Sequence, residues 1–218
     1  MPDSESLHPL HYVDLHCTVV SRAPFAEVMR SVLERASKAG WPISSLAVRD
    51  EEDEPIVGDL AGHTRTRGCF DYGTQARRVF WICEPRGRCC QLFGGVYIRQ
   101  FAASGEDLAV ACARAMDDMM VLFGGSATLC VVLGWEDGVE LDVGPGIVGV
   151  YRRALWFDAG VVTDPAVTVV ARDTEWVEVR TEPSEQGRQA ALVIQAAIAS
   201  VLDRRCGDSR YQQFGISE

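Results

Sequence analysis

The clearest pattern of apolar positions lies in the middle of the chain. It predicts a strand over residues 90–101, an amphipathic helix over 105–123 and a second strand over 128–133. Within the helix, apolar residues recur at steps of three and four along one stripe, which comprises Leu108, Ala111, Cys112, Ala115, Met116, Met119, Met120 and Phe123. Because such a stripe has to be buried, these residues predict a β-α-β unit whose helix lies on a sheet.

The N-terminal part repeats this order of elements. Alternating apolar residues predict a strand over 10–20, Pro24 and Gly40 bound a second helix, and another strand follows over 43–48. A shift of 83 positions brings the apolar pattern of this unit onto that of the first, although almost no residues are identical. Two interpretations stay open: a structural duplication, or the general likeness of any two β-α-β units.

The remaining segments predict strands and one further helix. Turn residues and alternation indicate short strands over 68–72, 78–83, 139–143, 148–157, 167–171 and 176–180. Ser184 is placed to cap a third helix that ends near Cys206 and Gly207. This helix is apolar around much of its circumference, so we expect the sheet and either another helix or a second subunit to cover it.

Together these patterns predict an α+β fold with largely antiparallel sheets and three helices. The chain of 218 residues is long enough to bury a sizeable core. We expect a single domain over 1–218, built from sub-units 10–88 and 89–206, with residues 207–218 as a loose tail.

Charge restricts the classes of partner. The chain has 31 acidic and 21 basic residues and a formal net charge of -10. Such a field repels nucleic-acid phosphates and attracts cations, so we expect no nucleic acid and favour a basic protein partner. Charge that serves solubility alone is the alternative.

Location and cysteine chemistry are linked. We find no secretory signal and no apolar run long enough for a membrane span, so we expect a bacterial protein of the cytoplasm. In that reducing compartment the eight cysteines predict thiols rather than a disulfide framework. Cys69, Cys83, Cys89 and Cys90, with His63, lack the close paired spacing of structural zinc sites. We expect no cofactor, and whether these cysteines are free thiols or ligands stays open.

Two further patterns suggest chemistry only weakly. Gly144, Gly146 and Gly149 match the dinucleotide fingerprint, but the residues that follow favour a strand where that motif needs a helix. Asp14 and His16 share one face of the first predicted strand, where a carboxylate can orient an imidazole for general-base catalysis. A polar surface strand explains the same two residues. No catalytic residue is therefore assigned.

Acidic residues cluster in the irregular stretch 49–88. An exposed turn carries Asp50, Glu51, Glu52, Asp53 and Glu54, and Asp59 and Asp71 lie nearby in sequence. We expect these carboxylates to contact arginine or lysine residues of a partner, the alternative being an ordinary solvent loop. In the central helix, by contrast, Asp117 and Asp118 are expected to be solvated surface residues.

These observations favour a non-catalytic binding protein. In size, acidity and lack of a catalytic motif the chain resembles, at the level of class only, the immunity proteins that neutralise bacterial toxins or effectors by direct binding. A secretion chaperone, a structural subunit that oligomerises through the third helix, and a small enzyme that uses Asp14 and His16 or a Cys/His metal site are the alternatives.

Overall fold

The described residues form one antiparallel sheet with helices on both faces. The computed structural model describes residues 13–57, 65–101, 108–125, 130–135, 147–161, 164–182 and 184–207. The strands are β1 Val13–Ser21, β2 Ile43–Arg49, β3 Thr66–Tyr72, β4 Arg77–Arg86, β5 Cys89–Tyr97, β6 Cys130–Trp135, β7 Ile147–Arg152, β8 Val167–Ala171 and β9 Trp176–Thr181. The helices are α1 Phe25–Lys38, α2 Leu108–Phe123, α3 Arg153–Ala159 and α4 Glu185–Cys206, and a 3-10 turn spans Ile98–Gln100.

The nine described strands run in the order β2-β3-β4-β5-β1-β6-β7-β9-β8, and each neighbouring pair is antiparallel. This confirms the α+β class and the antiparallel sheet. The central strand β1 pairs with β5 and β6, and its Leu15 and Cys17 are fully buried. The strand predicted over 139–143 lies outside the described residues.

Helices α1 and α2 pack side by side on one face, which we call the helical face. The Phe25 ring of α1 lies 4.8 Å from that of Trp81 in β4. The described residues of the predicted α2 stripe are buried, apart from Met120, which is partly buried. Leu122, which lies outside the predicted stripe, is also fully buried. The period of the sequence therefore identified the buried side of α2.

Helices α3 and α4 cover part of the opposite face. A second apolar cluster joins them to β7 and β9 through Tyr151, Leu155, Val179 and Ile194. Ser184 caps α4 as predicted, since its hydroxyl accepts a hydrogen bond from the Gly187 amide at 3.1 Å.

The fourth helix, α3, corrects the predicted count of three. We expected a strand over 148–157, but the strand ends at Arg152 and residues 153–159 are helical. The helix buries Leu155 and Trp156 and ends at Gly160, whose φ of 59° gives the left-handed cap. A helix of about two turns and a short buried strand are indistinguishable by the pattern of apolar residues alone.

The structure does not show the pseudo-repeat that the sequence pattern left open as one of two interpretations. The first connection, β1-α1-β2, crosses three intervening strands, whereas β5-α2-β6 crosses only β1. The two units share element order and the face on which their helices lie, but they differ in topology.

A polar contact anchors α2 to the sheet and corrects the expectation for Asp118. The carboxylate of Asp118 accepts hydrogen bonds from Tyr72 at 2.8 Å and from Arg77 at 2.9 Å, and its side chain is only 14% exposed. The Arg77 guanidinium also lies 4.6 Å from the centre of the Phe101 ring. Asp118 is therefore not a solvated surface residue, because side chains of β3 and β4 reach it from below.

We expect Asp118→Ala to lower the free energy of unfolding by about 3 kcal/mol, because it leaves the Arg77 charge without its carboxylate in a largely buried place. The neighbouring Asp117→Ala is the matched control, since Asp117 is 59% exposed and pairs with Arg172 at the surface. It should cost less than about 1 kcal/mol. Urea unfolding measures both values, and equal losses would contradict the assigned role of Asp118.

Candidate functional site

Apolar side chains lie exposed on the face of β4 and β5 opposite α1 and α2. We call this face of β2–β5 the open face, and its residues Phe80, Ile82, Phe93 and Tyr97 the aromatic strip. Phe80, Ile82 and Phe93 are 40%, 51% and 39% exposed. Ile82 lies opposite Phe93 in the strand register, and the rings of Phe80 and Tyr97 are 5.2 Å apart. The strip is a contiguous apolar surface that spans two strands.

The strip follows from the composition of β4. Val79, Trp81 and Cys83 point to the helical face and are buried, so Phe80 and Ile82 must point the other way. A strand that is apolar on both faces is typical of sheets covered on both sides. Here α4 covers the second side only at its end, at Arg86, Cys89 and Gln91, and leaves Phe80, Ile82 and Phe93 exposed. A contiguous exposed apolar patch marks an interaction surface.

Ion pairs border the aromatic strip. Arg67 contacts Asp53 at 2.9 Å, and Arg65 lies 3.7 Å from Glu84. Beyond Tyr97, the guanidinium of Arg99 stacks 4.9 Å from the ring centre. Most of the cations around the strip are thus already paired, and the surface they enclose is apolar.

The acidic turn lies beside this surface. Asp50 accepts hydrogen bonds from the amides of Glu52 at 3.1 Å and Glu54 at 2.8 Å, so its carboxylate shapes the turn. Asp53 contacts Arg67, which lies opposite Ile82 of the strip.

The other carboxylates of the turn are exposed. Glu51, Glu52 and Glu54 make no ion pair with the part of the chain that the structure describes. The turn therefore carries unneutralised negative charge at one edge of the aromatic strip.

The other two predicted contact residues have different surroundings. Asp71 is buried on the same face under Arg78, which donates two hydrogen bonds to its carboxylate, at 2.7 and 2.9 Å. These bonds lower the pKa of Asp71 from its ordinary value, against the opposing effect of burial. Asp59 lies outside the described residues.

The candidate general base lies next to the strip in the sheet. The backbone register places Asp14 opposite Tyr97 and His16 opposite Gly95. Their side chains lie outside what the structure describes. The catalytic interpretation of this pair stays a prediction.

Other sequence candidates do not converge on this surface. Within the described ranges, no three His, Cys, Asp or Glu side chains are grouped so that they could hold a metal ion, and His63 is outside those ranges. Gly149 lies in strand β7, in agreement with the predicted strand after the glycine motif, whereas Gly144 and Gly146 are not described. None of the described helices is both long enough and apolar enough to cross a bilayer.

Comparisons with known proteins give no family. No family model matches the chain, and no curated protein matches it in sequence. The candidate surface therefore depends on its own geometry.

Sequence reasoning found the acidic turn but missed the aromatic strip. The available signal was the run Val79, Phe80, Trp81 and Ile82, which is apolar at both parities of a strand. The sequence does not reveal which of the two faces a helix covers.

Asp71 predicts a pH dependence of stability. Since its pKa is lower in the folded protein than in the unfolded chain, its ionised form stabilises the fold at neutral pH. This contribution is lost as the pH falls from about 4 through the folded-state pKa. We expect Asp71→Asn to unfold at lower urea concentration than the wild type at pH 7, with a difference that shrinks below about pH 4.

Urea unfolding over a pH series measures this difference. Glu51→Gln is the control, because the described residues make no ion pair with Glu51. If both variants differ from the wild type by the same urea concentration at every pH, the assigned role of Asp71 is contradicted.

Proposed function

We propose that this chain is a non-catalytic protein-binding module that docks a partner on its open face. The observation that carries the proposal is the exposed aromatic strip, which lies behind the buried Val79, Trp81 and Cys83 of the same strand β4. Aromatic and aliphatic side chains at the centre of an interface, enclosed by polar groups that exclude water, contribute most of the binding energy. The strip and its border of ion pairs have this arrangement.

A basic protein is the partner that the charges favour. Glu51, Glu52 and Glu54 lie at one edge of the strip, and the whole chain carries a net charge of -10. Arg65 and Arg78 are paired with Glu84 and Asp71, and Arg67 is paired with Asp53 of the turn. None of these arginines forms an ion pair with Glu51, Glu52 or Glu54 among the described residues. Lysine or arginine side chains around an apolar knob on the partner would match both features.

Among basic protein partners we propose a bacterial toxin or effector, which the chain would neutralise by direct binding in the cytoplasm. Support comes from the acidity, the size and the absence of a recognisable catalytic motif in the sequence. An immunity protein needs only a docking surface, which agrees with an interface built from packing and charge. A toxin gene beside the gene for this chain would support this identification.

Replacement of the strip should abolish docking without unfolding the protein. We expect the double variant Phe80→Ser, Ile82→Ser to weaken binding of a captured basic partner at least about thirtyfold, which corresponds to the loss of about 2 kcal/mol expected for even one central apolar contact. Calorimetry with the purified partner measures this loss. The control is Val193→Ser on α4, where a 65% exposed valine lies away from the strip.

Three outcomes separate the possibilities. Selective loss in the strip variant supports the proposal. A dimer in light scattering that the strip variant dissociates would identify a second copy as the occupant and overturn the heterologous partner. If Val193→Ser weakens binding instead, the interface lies on α4, where Leu192 and Val193 are exposed. That result would favour the oligomeric alternative.

The acidic turn should set the association rate. We expect Glu51→Lys with Glu52→Lys to slow association and to flatten its dependence on salt, because charges at the rim of an interface steer encounter. Glu27→Lys with Glu34→Lys on α1 changes the net charge equally on the helical face. Stopped-flow association at several ionic strengths compares the two, and equal effects would remove the turn from the interface.

A further inference from the structure

Two cysteines of adjacent strands lie in contact on the helical face. Cys83 of β4 and Cys90 of β5 occupy diagonal positions, since Cys83 lies opposite Leu92 and Cys90 opposite Pro85. Their sulfur atoms are 3.0 Å apart. A disulfide requires about 2.05 Å, so a shift of about 1 Å would bring them to bonding distance.

The two thiols differ in access. Cys83 is only 1% exposed, whereas Cys90 is partly exposed. Pro85, the residue opposite Cys90 on β4, is also exposed, whereas Leu92, the residue opposite Cys83, is fully buried. A small molecule in solution can therefore reach Cys90 more readily than Cys83.

The contact also favours one thiolate. The hydrogen bond from the Cys83 thiol lowers the pKa of Cys90, and the same contact, with burial, raises the pKa of Cys83. The thiolate is the reactive form of cysteine, so we assign the first attack to Cys90 and the second to Cys83.

We propose that Cys83 and Cys90 form a reversible disulfide by exchange with a low-molecular-weight disulfide such as oxidised glutathione. The Cys90 thiolate attacks one sulfur of the small disulfide and releases one thiolate, which takes up a proton. The Cys83 thiol then loses its proton and attacks the Cys90 sulfur, which releases the second small thiol. Two protein thiols are oxidised and one small disulfide is reduced, so atoms and electrons balance.

Other cysteines provide internal comparisons. Cys89 and Cys206 also lie in hydrogen-bond contact, on the opposite face, but Cys206 is fully buried and Cys89 is 8% exposed. Cys69 is partly exposed like Cys90 and lies on the open face. The Cys83–Cys90 pair thus differs from the Cys89–Cys206 pair because one of its thiols is partly exposed. It differs from Cys69 because its two sulfur atoms lie in contact.

The test treats the reduced full-length protein with oxidised glutathione and blocks the remaining thiols with an alkylating agent. Intact mass and peptide mapping then locate the products. We expect the wild type and Cys69→Ser to lose two alkylatable thiols and to contain a bond between Cys83 and Cys90. In Cys83→Ser the second step is impossible, so glutathione should stay attached to Cys90.

The outcomes are distinct. A stable glutathione adduct on wild-type Cys90 would overturn the proposal, and so would a bond mapped only to Cys89 and Cys206 or no loss of thiols. The wild-type map needs no variant, so it decides the question even if Cys83→Ser fails to fold. Reduction by dithiothreitol should restore both thiols, and failure to do so would overturn the claim of reversibility.

Discussion

The area of the sheet exceeds what the described helices can cover, and the candidate sites follow from this constraint. Nine strands spaced about 4.8 Å apart extend over about 38 Å, whereas a helix with its side chains is about 10–12 Å wide. Two helices on each face therefore cover little more than half of it. Helices α3 and α4 lie over β7 and β9, and the end of α4 also covers Arg86, Cys89 and Gln91 at one end of β4 and β5. Phe80, Ile82 and Phe93 of the open face stay exposed on the same side.

Two ion pairs, one partly buried and one buried, tie helices to the sheet at defined places. Asp118 of α2 binds Arg77, and Asp203 of α4 binds Arg86, whose guanidinium also donates to Gln91 at 2.7 Å and to the Ala199 carbonyl at 3.2 Å. A charge in such a place is costly without its partner, so a displaced helix would lose both apolar contacts and charge compensation. These pairs fix the positions of α2 and α4, and with them the part of the sheet that stays uncovered.

Local periodicity predicted what depends on local sequence. The apolar stripe of α2, the Ser184 cap of α4 and most strands were predictable because a buried face imposes a period of 3.6 or 2 on the chain. The short helix α3, the contact of Asp118 with Tyr72 and the exposure of Phe80 were not, because each depends on which distant element lies above a residue. The acidic turn was predictable from composition, but its position beside Ile82 arises from the pairing of Arg67 in β3.

Alternation in β4 and β5 also separates the two proposed sites. Ile82 and Phe93 point to the open face, whereas Cys83 and Cys90 point to the helical face, although Ile82 and Cys83 are neighbours in sequence. A substitution at either position changes the surroundings of one face while the shared strand pairing is retained. The binding function and the thiol chemistry can therefore be tested, and can fail, separately.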